Sequence, residues 1–382
     1  MDKHTTALVR CQSYDWDVVE IAVRRAVELL GGMHRFVQPG MRVAIKANLL
    51  KKQTPEACVT THPSVIAAVA KLARECGGDV VIGDSPGGPF TMGALKGIYE
   101  QSGMIEAARR AGVRLNEDLG TVEDAFFPGE VLKQLTVCRF LHEADVILNC
   151  AKLKTHGMTT YTGAVKNLFG AIPGTTKVEY HFRMPQLPQF AGMLVDLNEY
   201  LKPQLNLIDA VVGMEGEGPG SGDPRQVGCL IAAHTPYAAD LVGIRLMDLE
   251  PMRIATVQNA HARGLCPADW DELTVLGDEK RDFVVHDFVV PSAPVDMAFP
   301  RVAPKWIMRR VQKLLRPKPV FDHRACIGCG DCARSCPPKA IVMREHRPQV
   351  DLQLCIRCFC CQELCSKKAV HIKRSRILKR LG

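Results

Sequence analysis

Nine of the sixteen cysteines lie between Cys326 and Cys365, and their spacing constrains this chain more than any other feature. The first run is Cys326-x2-Cys329-x2-Cys332-x3-Cys336-Pro337; the second is Cys355-x2-Cys358-x2-Cys361-x3-Cys365. Every cysteine of the first run recurs 29 residues later, and Lys339-Ala340-Ile341 is echoed by Lys368-Ala369-Val370. The segment is an internal duplication.

Dense cysteines at short fixed spacing in a large chain point to metal ligation rather than to disulfides. Three thiolates two residues apart wrap one iron–sulfur cluster on a tight loop, and the fourth, beyond a short helix, reaches the other cluster. The spacing thus assigns Cys326, Cys329, Cys332 and Cys365 to one [4Fe–4S] cluster, and Cys355, Cys358, Cys361 and Cys336 to a second. A pair of structural zinc sites would instead ask for four ligands as two spaced pairs. The segment from Val320 to Lys373 resembles the bacterial two-cluster ferredoxins. Two positions depart from their pattern. Ser366 follows Cys365 where the first run has Pro337, which predicts a looser turn. Cys360 fits no ligand spacing and reads as a bystander, the alternative being a substitute for Cys358 or Cys361. The other seven cysteines (Cys11, Cys58, Cys76, Cys138, Cys150, Cys229, Cys266) show no pairing rhythm and read as small buried side chains.

Charge divides the chain. Residues 1–300 carry a net −7 and residues 301–382 a net +15, against +8 overall. Part of the basic excess offsets the clusters, and nearby cations raise a reduction potential. The rest suggests an acidic redox partner protein. The stretch 301–318 reads as a basic amphipathic helix with Ile307, Val311, Leu314 and Leu315 on one face. It is expected to link two domains, with a membrane-surface contact as the alternative. The basic stretches carry no interleaved aromatics and match no nucleic-acid motif, so nucleic acid is set aside. No window reaches the roughly 18 apolar residues of a spanning helix, and the start has no apolar signal core, so a cytoplasmic location is expected.

The first 300 residues alternate Val/Ile-rich runs with helical segments. Strands are expected at 43–47, 80–83, 146–150, 207–212 and 230–233, and helices at 17–30, 63–76, 104–111, 189–201 and 237–249. The fold class is α/β: a mostly parallel sheet with helices on both faces, followed by a small α+β two-cluster ferredoxin domain at the C-terminus. The domain reading is residues 1–300 as the α/β module, 301–318 as the linker helix, 319–374 as the ferredoxin-like domain and 375–382 as a basic tail.

In such sheets ligands sit beyond the carboxyl ends of the strands. Four strand-end loops carry ordered polar residues: Lys46-Ala47-Asn48; Asp84-Ser85 within a Gly-rich turn; Lys152-Leu153-Lys154-Thr155-His156, leading to Lys166-Asn167 on a helix; and the glycine-rich Gly213 to Asp223 with Glu215 and Glu217. Together they suit an anionic small-molecule ligand. Lys46, Asn48, Asp84, Ser85, Lys152, Thr155, Lys166 and Asn167 are the candidate binding residues. His156, Lys154 and Glu215 are the candidate catalytic ones, His156 as general acid/base. A divalent metal could be held by Glu215, Glu217 or Asp84. There is no P-loop and no G-x-G-x-x-G after a strand, so P-loop nucleotide and Rossmann dinucleotide readings fall away.

The stretches Lys46–Leu50, Gly83–Gly87, Lys152–His156, Thr162–Gly170 and Gly213–Gly216 resemble those of a prokaryotic family, the domain of unknown function 362 group, whose members are called uncharacterised iron–sulfur centre proteins and are often fused to a ferredoxin module. The resemblance implies no catalytic residue. The expected function is electron transfer between two [4Fe–4S] clusters and a ligand or partner at the α/β module; as an enzyme, the chain would be an iron–sulfur oxidoreductase. The alternatives are a pure electron carrier with a docking scaffold, and a non-redox enzyme or assembly factor with structural or sensing clusters.

Overall fold

The computed structural model describes residues 3–291 and 317–373. The linker helix expected at 301–318 falls almost entirely outside the described residues, and the basic tail at 375–382 falls wholly outside them.

Eleven strands belong to the front module: β1 (Thr5–Arg10), β2 (Arg42–Lys46), β3 (Asp79–Gly83), β4 (Arg114–Leu115), β5 (Thr121–Ala125), β6 (Gln134–Cys138), β7 (Val146–His156), β8 (Thr160–Thr162), β9 (Leu205–Glu215), β10 (Asp223–Ala233) and β11 (Thr274–Gly277). Nine form one sheet in the order β11-β1-β10-β9-β7-β2-β3-β4, with β8 added antiparallel to β7; β5 and β6 form a separate hairpin. The block β9-β7-β2-β3-β4 is parallel throughout. β10 runs antiparallel to both β9 and β1. The sheet is therefore mixed, and mostly parallel.

Helices cover both faces, as apolar runs buried on two sides require. On one face Trp16–Leu29 and Pro63–Glu75 bury Val19, Val23, Val65, Ile66 and Val69 against Val43, Ile45 and Ile82. The second of these helices starts where Pro63 occupies the first turn and His62 accepts from the Ser64 amide at 3.2 Å, satisfying one of the end amides. On the other face Leu187–Leu201 and Pro236–Leu246 pack Phe190, Leu194, Leu241 and Val242 against Ile147, Leu153 and Ile208. Six of the seven scattered cysteines are buried; Cys76 is half-buried, and all seven are free thiols.

One element departs from the sequence reading. Lys152 to His156 is not a loop, because β7 continues through it with all eleven residues buried. Polar residues persist in a central strand because they are paired across it. Asn149 donates to Asn206 at 2.9 Å, and Lys152 meets Asp209 at 2.9 Å. Four further helices of the front module had no sequence expectation, Met92–Gln101, Arg139–His142, Thr176–Arg183 and Ala255–Ala262, nor did the strands β1, β4, β5, β6, β8 and β11.

The C-terminal module pairs β12 (Lys318–Phe321) with β15 (Val370–Lys373), and β13 (Ile341–Arg344) with β14 (Arg347–Val350). The duplication is visible atom by atom. Cys326 and Cys355 each donate a backbone amide to an aspartate carbonyl four residues earlier, both at 3.0 Å. Gly330 and Phe359, 29 residues apart, both take the left-handed conformation just before the short helices Asp331–Arg334 and Cys360–Glu363.

Candidate functional site

The C-terminal module docks on the α/β module through its second half. Lys51 Nζ donates to the Cys365 carbonyl at 3.0 Å, Gln362 Nε2 to the Glu217 carbonyl at 2.7 Å, and Lys368 Nζ to the Gly222 carbonyl at 2.9 Å. Gly220 lies so close to the Glu363 carbonyl that a Cβ there would stand 2.8 Å from it. The glycine-rich loop after β9, expected to supply carboxylates to a ligand, is instead a seat for this module.

Between the two modules lies a cavity of about 80 Å³, ample for several waters, since one needs roughly 10–15 Å³ on this measure. Its walls include Lys46, Asn48, Asp84, Ser85, Lys154, Lys166 and Asn167 from the α/β module and Cys360, Glu363 and Leu364 from the cysteine module. The carboxyl ends of β2 and β3 deliver Lys46 and Asp84, as the strand-end rule predicts. Six of the eight residues expected to bind a ligand thus converge. Lys177, Phe169 and His181 complete the wall.

The cations of this cavity differ in their partners. Lys46, fully buried, pairs with Asp84 at 2.7 Å, and Asp84 also accepts from the Leu49 amide at 2.8 Å. Lys154 is as deeply buried but has no carboxylate; its Nζ donates to Asn48 Oδ1 at 2.5 Å and to the Val59 carbonyl at 2.8 Å. Burial pushes its ammonium down to about 7, with Lys152 and Lys166 adding repulsion. Lys166 stands over the Phe169 and Phe190 rings at 5.5 and 6.0 Å, and no hydrogen bond or ion pair to it occurs among the described residues. Burial lowers it too, against the pull of Glu363. Lys177 donates to the Ser85 carbonyl at 2.8 Å and is pushed to about 8 by burial. Four lysines face two carboxylates, Asp84 and Glu363, so the cavity favours an anion.

Four sequence candidates stand elsewhere. His156 does not line the cavity: its Nδ1 accepts the amides of Met158 at 3.0 Å and Thr159 at 3.3 Å, leaving the ring proton on Nε2, 3.2 Å from Glu363 Oε1. Burial lowers this imidazole to about 4. The ring is fixed at Nδ1 by two backbone amides, while Nε2 approaches Glu363 Oε1 at 3.2 Å without hydrogen-bond geometry, and it stands outside the cavity wall. Glu215 is spent on the Val289 amide at 2.9 Å and on Arg225 at 3.8 Å, away from the cavity, which removes it from the catalytic set. Lys152 is closed behind the strand by Asp209 and by Tyr14 at 2.6 Å. Thr155 points to the opposite side, donating to the Gly216 carbonyl at 2.9 Å. Of the three carboxylates considered for a divalent metal (Glu215, Glu217 and Asp84), Asp84 pairs with Lys46 and Glu215 with the Val289 amide and Arg225. Among the described residues no group of three or more His, Cys, Asp and Glu side chains converges as a site for a metal ion.

Sequence reasoning missed Lys177, His181, Glu363 and the role of Cys360. The first two sit on the unforeseen helix Thr176–Arg183, where Val178, Tyr180 and Phe182 alternate with polar residues as they would in a strand. Glu363 had a signal: it is one of only five acidic residues after position 300, and it lies between two ligand cysteines.

The cysteines suit clusters rather than a single ion, whose ligands would stand closer together than those around a cubane. Cys336, Cys355, Cys358 and Cys361 line one largely apolar cavity of about 20 Å³ with Pro337, Ile341 and Phe359. The other four are mutual neighbours: burial pushes the Cys332 thiol up to about 11, with Cys329, Cys326 and Cys365 adding to it. Both sets mix the two runs, as the cross-ligation rule requires. Backbone amides point at the sulfurs, Ala340 to Cys336 at 3.2 Å and Ala369 to Cys365 at 3.3 Å, the kind of contact that stabilises thiolate and tunes a cluster.

An α/β sheet sharing a cavity with a duplicated cysteine fold defines an iron–sulfur protein with a fused ferredoxin-type domain. The chain belongs to the family described as Domain of unknown function (DUF362), whose model matches residues 43–245. A 4Fe-4S dicluster domain matches residues 318–366. A thylakoid-associated protein of Synechocystis sp. is 35% identical over 305 residues, covering 78% of this chain and 92% of that one. Among solved structures, the lactate racemase apoprotein from Thermoanaerobacterium thermosaccharolyticum aligns with a TM-score of 0.41 and 13% identity. That alignment covers 65% of this chain and 59% of the racemase, so the chain spans under two thirds of that structure. Among the described residues no helix is long and apolar enough to cross a membrane.

Proposed function

We propose that this protein is an electron-transfer protein that holds two [4Fe–4S] clusters and exchanges electrons with a redox-active small molecule anchored by its carboxylate or phosphate group in the lysine-lined cavity. The observation that carries this reading is the position of Cys360. It lines both the cavity enclosed by Cys336, Cys355, Cys358 and Cys361 and the anion-favouring cavity next to it. The thiol that fitted no ligand spacing stands between the cofactor and the ligand.

When bound, the clusters supply electrons one at a time. The chain does the rest. Lys166, which among the described residues has no hydrogen bond or ion pair, receives the anion; Lys177 and Lys154 flank it; Phe169 and Leu364 exclude water. Lys154 holds at Nζ a proton that it can release near neutral pH. Docking in one chain keeps donor and acceptor at high effective concentration. Thiols that must stay reduced support a cytoplasmic location.

The test is an anaerobic EPR titration of reduced protein with inorganic phosphate, sulfate and small dicarboxylates. One of the two centres should shift on binding, and Lys166→Met should abolish the shift. If no anion binds or perturbs either centre, the cavity reading is wrong and the chain is a carrier for another protein.

A further inference from the structure

We infer that the loop Cys326–Cys332 is a docking face for an acidic one-electron carrier protein, so that electrons come in at that loop and leave at Cys360. The exit at Cys360 rests on the proposed function; the docking face at the loop goes beyond it and stands whatever occupies the lysine-lined cavity.

The argument starts from the duplication. Residues 29 apart are structural equivalents: Ile327 with Ile356, Cys329 with Cys358, Asp331 with Cys360, Arg334 with Glu363. In the second copy the helix Cys360–Glu363 is buried throughout, because the α/β module covers it. In the first copy the equivalent helix has no buried residue, Cys329 is exposed, and Ile327 is 62% exposed. One protein surface has thus been built twice, and among the described residues only one copy is covered. An exposed isoleucine next to a cluster ligand is an apolar contact point at the place where electrons cross most directly.

Charge selects the occupant. Arg324, Arg334, His346 and Arg347 are all exposed around this loop. Arg334 donates to the Cys329 carbonyl at 2.9 Å and Arg347 to the Cys326 carbonyl at 2.7 Å, so two guanidinium groups are fixed on the rim. The Cβ of a residue at Gly328 would stand 2.7 Å from the His346 carbonyl, which places the β13–β14 turn against the same loop. Two acids share this region, fewer than its cations: Asp331 is paired with Arg334 at 2.5 Å and accepts from Cys329 Sγ at 3.4 Å, and Glu345 is exposed in the β13–β14 turn. A basic rim around a single apolar knob fits an acidic redox protein, which it would both steer and orient. The transfer is simple in its balance: the carrier loses one electron, the cluster held by Cys326, Cys329, Cys332 and Cys365 gains it, and no bond or proton changes hands.

The experiment uses the full chain with its clusters and a reduced plant-type [2Fe–2S] ferredoxin as the acidic donor. Arg324→Glu with Ile327→Asp should slow reduction of the clusters at low salt at least tenfold and flatten its salt dependence. The Kd for oxidised ferredoxin by calorimetry should weaken by a similar factor. Reduction by methyl viologen, iron content and anion binding should be unchanged. If the double variant loses iron, Ile327→Ser alone gives the reading, with a several-fold loss expected. Rates and Kd within twofold of the parent overturn the proposal. So does a variant that keeps its rates but no longer binds vesicles of anionic lipid, since the face would then be one for a membrane surface.

Discussion

His156 Nε2 lies 3.2 Å from Glu363 Oε1, joining the end of the central strand β7 to the short helix between two cluster ligands. The imidazole is held on its other side by two backbone amides, so its one proton faces the carboxylate. Burial alone would raise the Glu363 carboxyl, but His156, Lys166 and His181 bring it down to about 2. Replacing Glu363 by Ala removes this close buried contact and should destabilise docking by about 0.5–1.5 kcal/mol. Glu363→Gln, which keeps an acceptor, should cost less than half as much. Urea transitions followed through the visible absorbance of the clusters would separate the two; equal losses would show that the contact is not what seats the helix.

Lys154 makes anion binding depend on pH. Its ammonium is lowered to about 7, so it is charged at pH 6 and largely neutral at pH 8. An anion binds the charged form better, so its affinity should fall as pH rises through 7, by roughly tenfold if the charge contributes about 1.4 kcal/mol. Lys177, lowered to about 8, acts in the same direction one unit higher. In Lys154→Met the step near 7 should vanish and the one near 8 should remain. Sulfate keeps its charge across this range, and sulfate titrations at half-unit pH intervals would reveal a single unshifted step if Lys154 does not face the ligand.

Lys51 sits under the first cluster. It is buried and donates to the Cys365 carbonyl. A fixed cation beside a cluster favours the reduced form, so Lys51→Met should lower one midpoint potential by tens of millivolts, the scale of a close charge at an effective dielectric constant of about 20. A redox titration monitored by EPR should show the other potential nearly unchanged.

Cross-ligation can be read from iron counts. Cys336→Ser should remove the cluster whose other ligands are in the second run, taking iron from about eight to about four per chain. Cys360→Ser should leave about eight. Iron loss on changing Cys360 would make it a ligand and end its assignment to the space between the two cavities.

Gly170 tests the floor of the cavity. A Cβ there would meet Asp84 Oδ1 and stand 2.5 Å from Lys46 Nζ. Gly170→Ala should part that buried pair, destabilising the chain by about 3–5 kcal/mol if both charges stay in place. Anion binding should weaken with it. A variant with the parent's thermal stability would mean that the pair relaxes freely.

Much of the fold could be read in advance where local chemistry and tertiary structure agree. The Val/Ile runs of β2, β3, β7, β9 and β10 are strands, and the helix Met104–Ala111 has the expected bounds. The convergence of Lys46, Asp84 and Asn167 followed from the strand-end rule. β7 was cut short because lysines read as solvated, and what keeps Lys152 in the sheet is Asp209, 57 residues later and invisible to a local pattern. His156 and Glu215 were misjudged for the same reason: their partners, Glu363 and Val289, lie far along the chain. The cysteine spacing was legible throughout, because ligand geometry is local. Where the ligand-bearing helix would dock was not, because docking is written in surfaces rather than in spacing.

The wall between the cavity and the cysteines is a single segment, Cys360 to Leu364, flanked by cluster ligands on both sides. Oxygen that destroys the clusters would therefore also unseat one wall of the binding chamber. On the proposed function such a protein would be its own circuit breaker: once it could no longer carry current, it would have nowhere to hold the load.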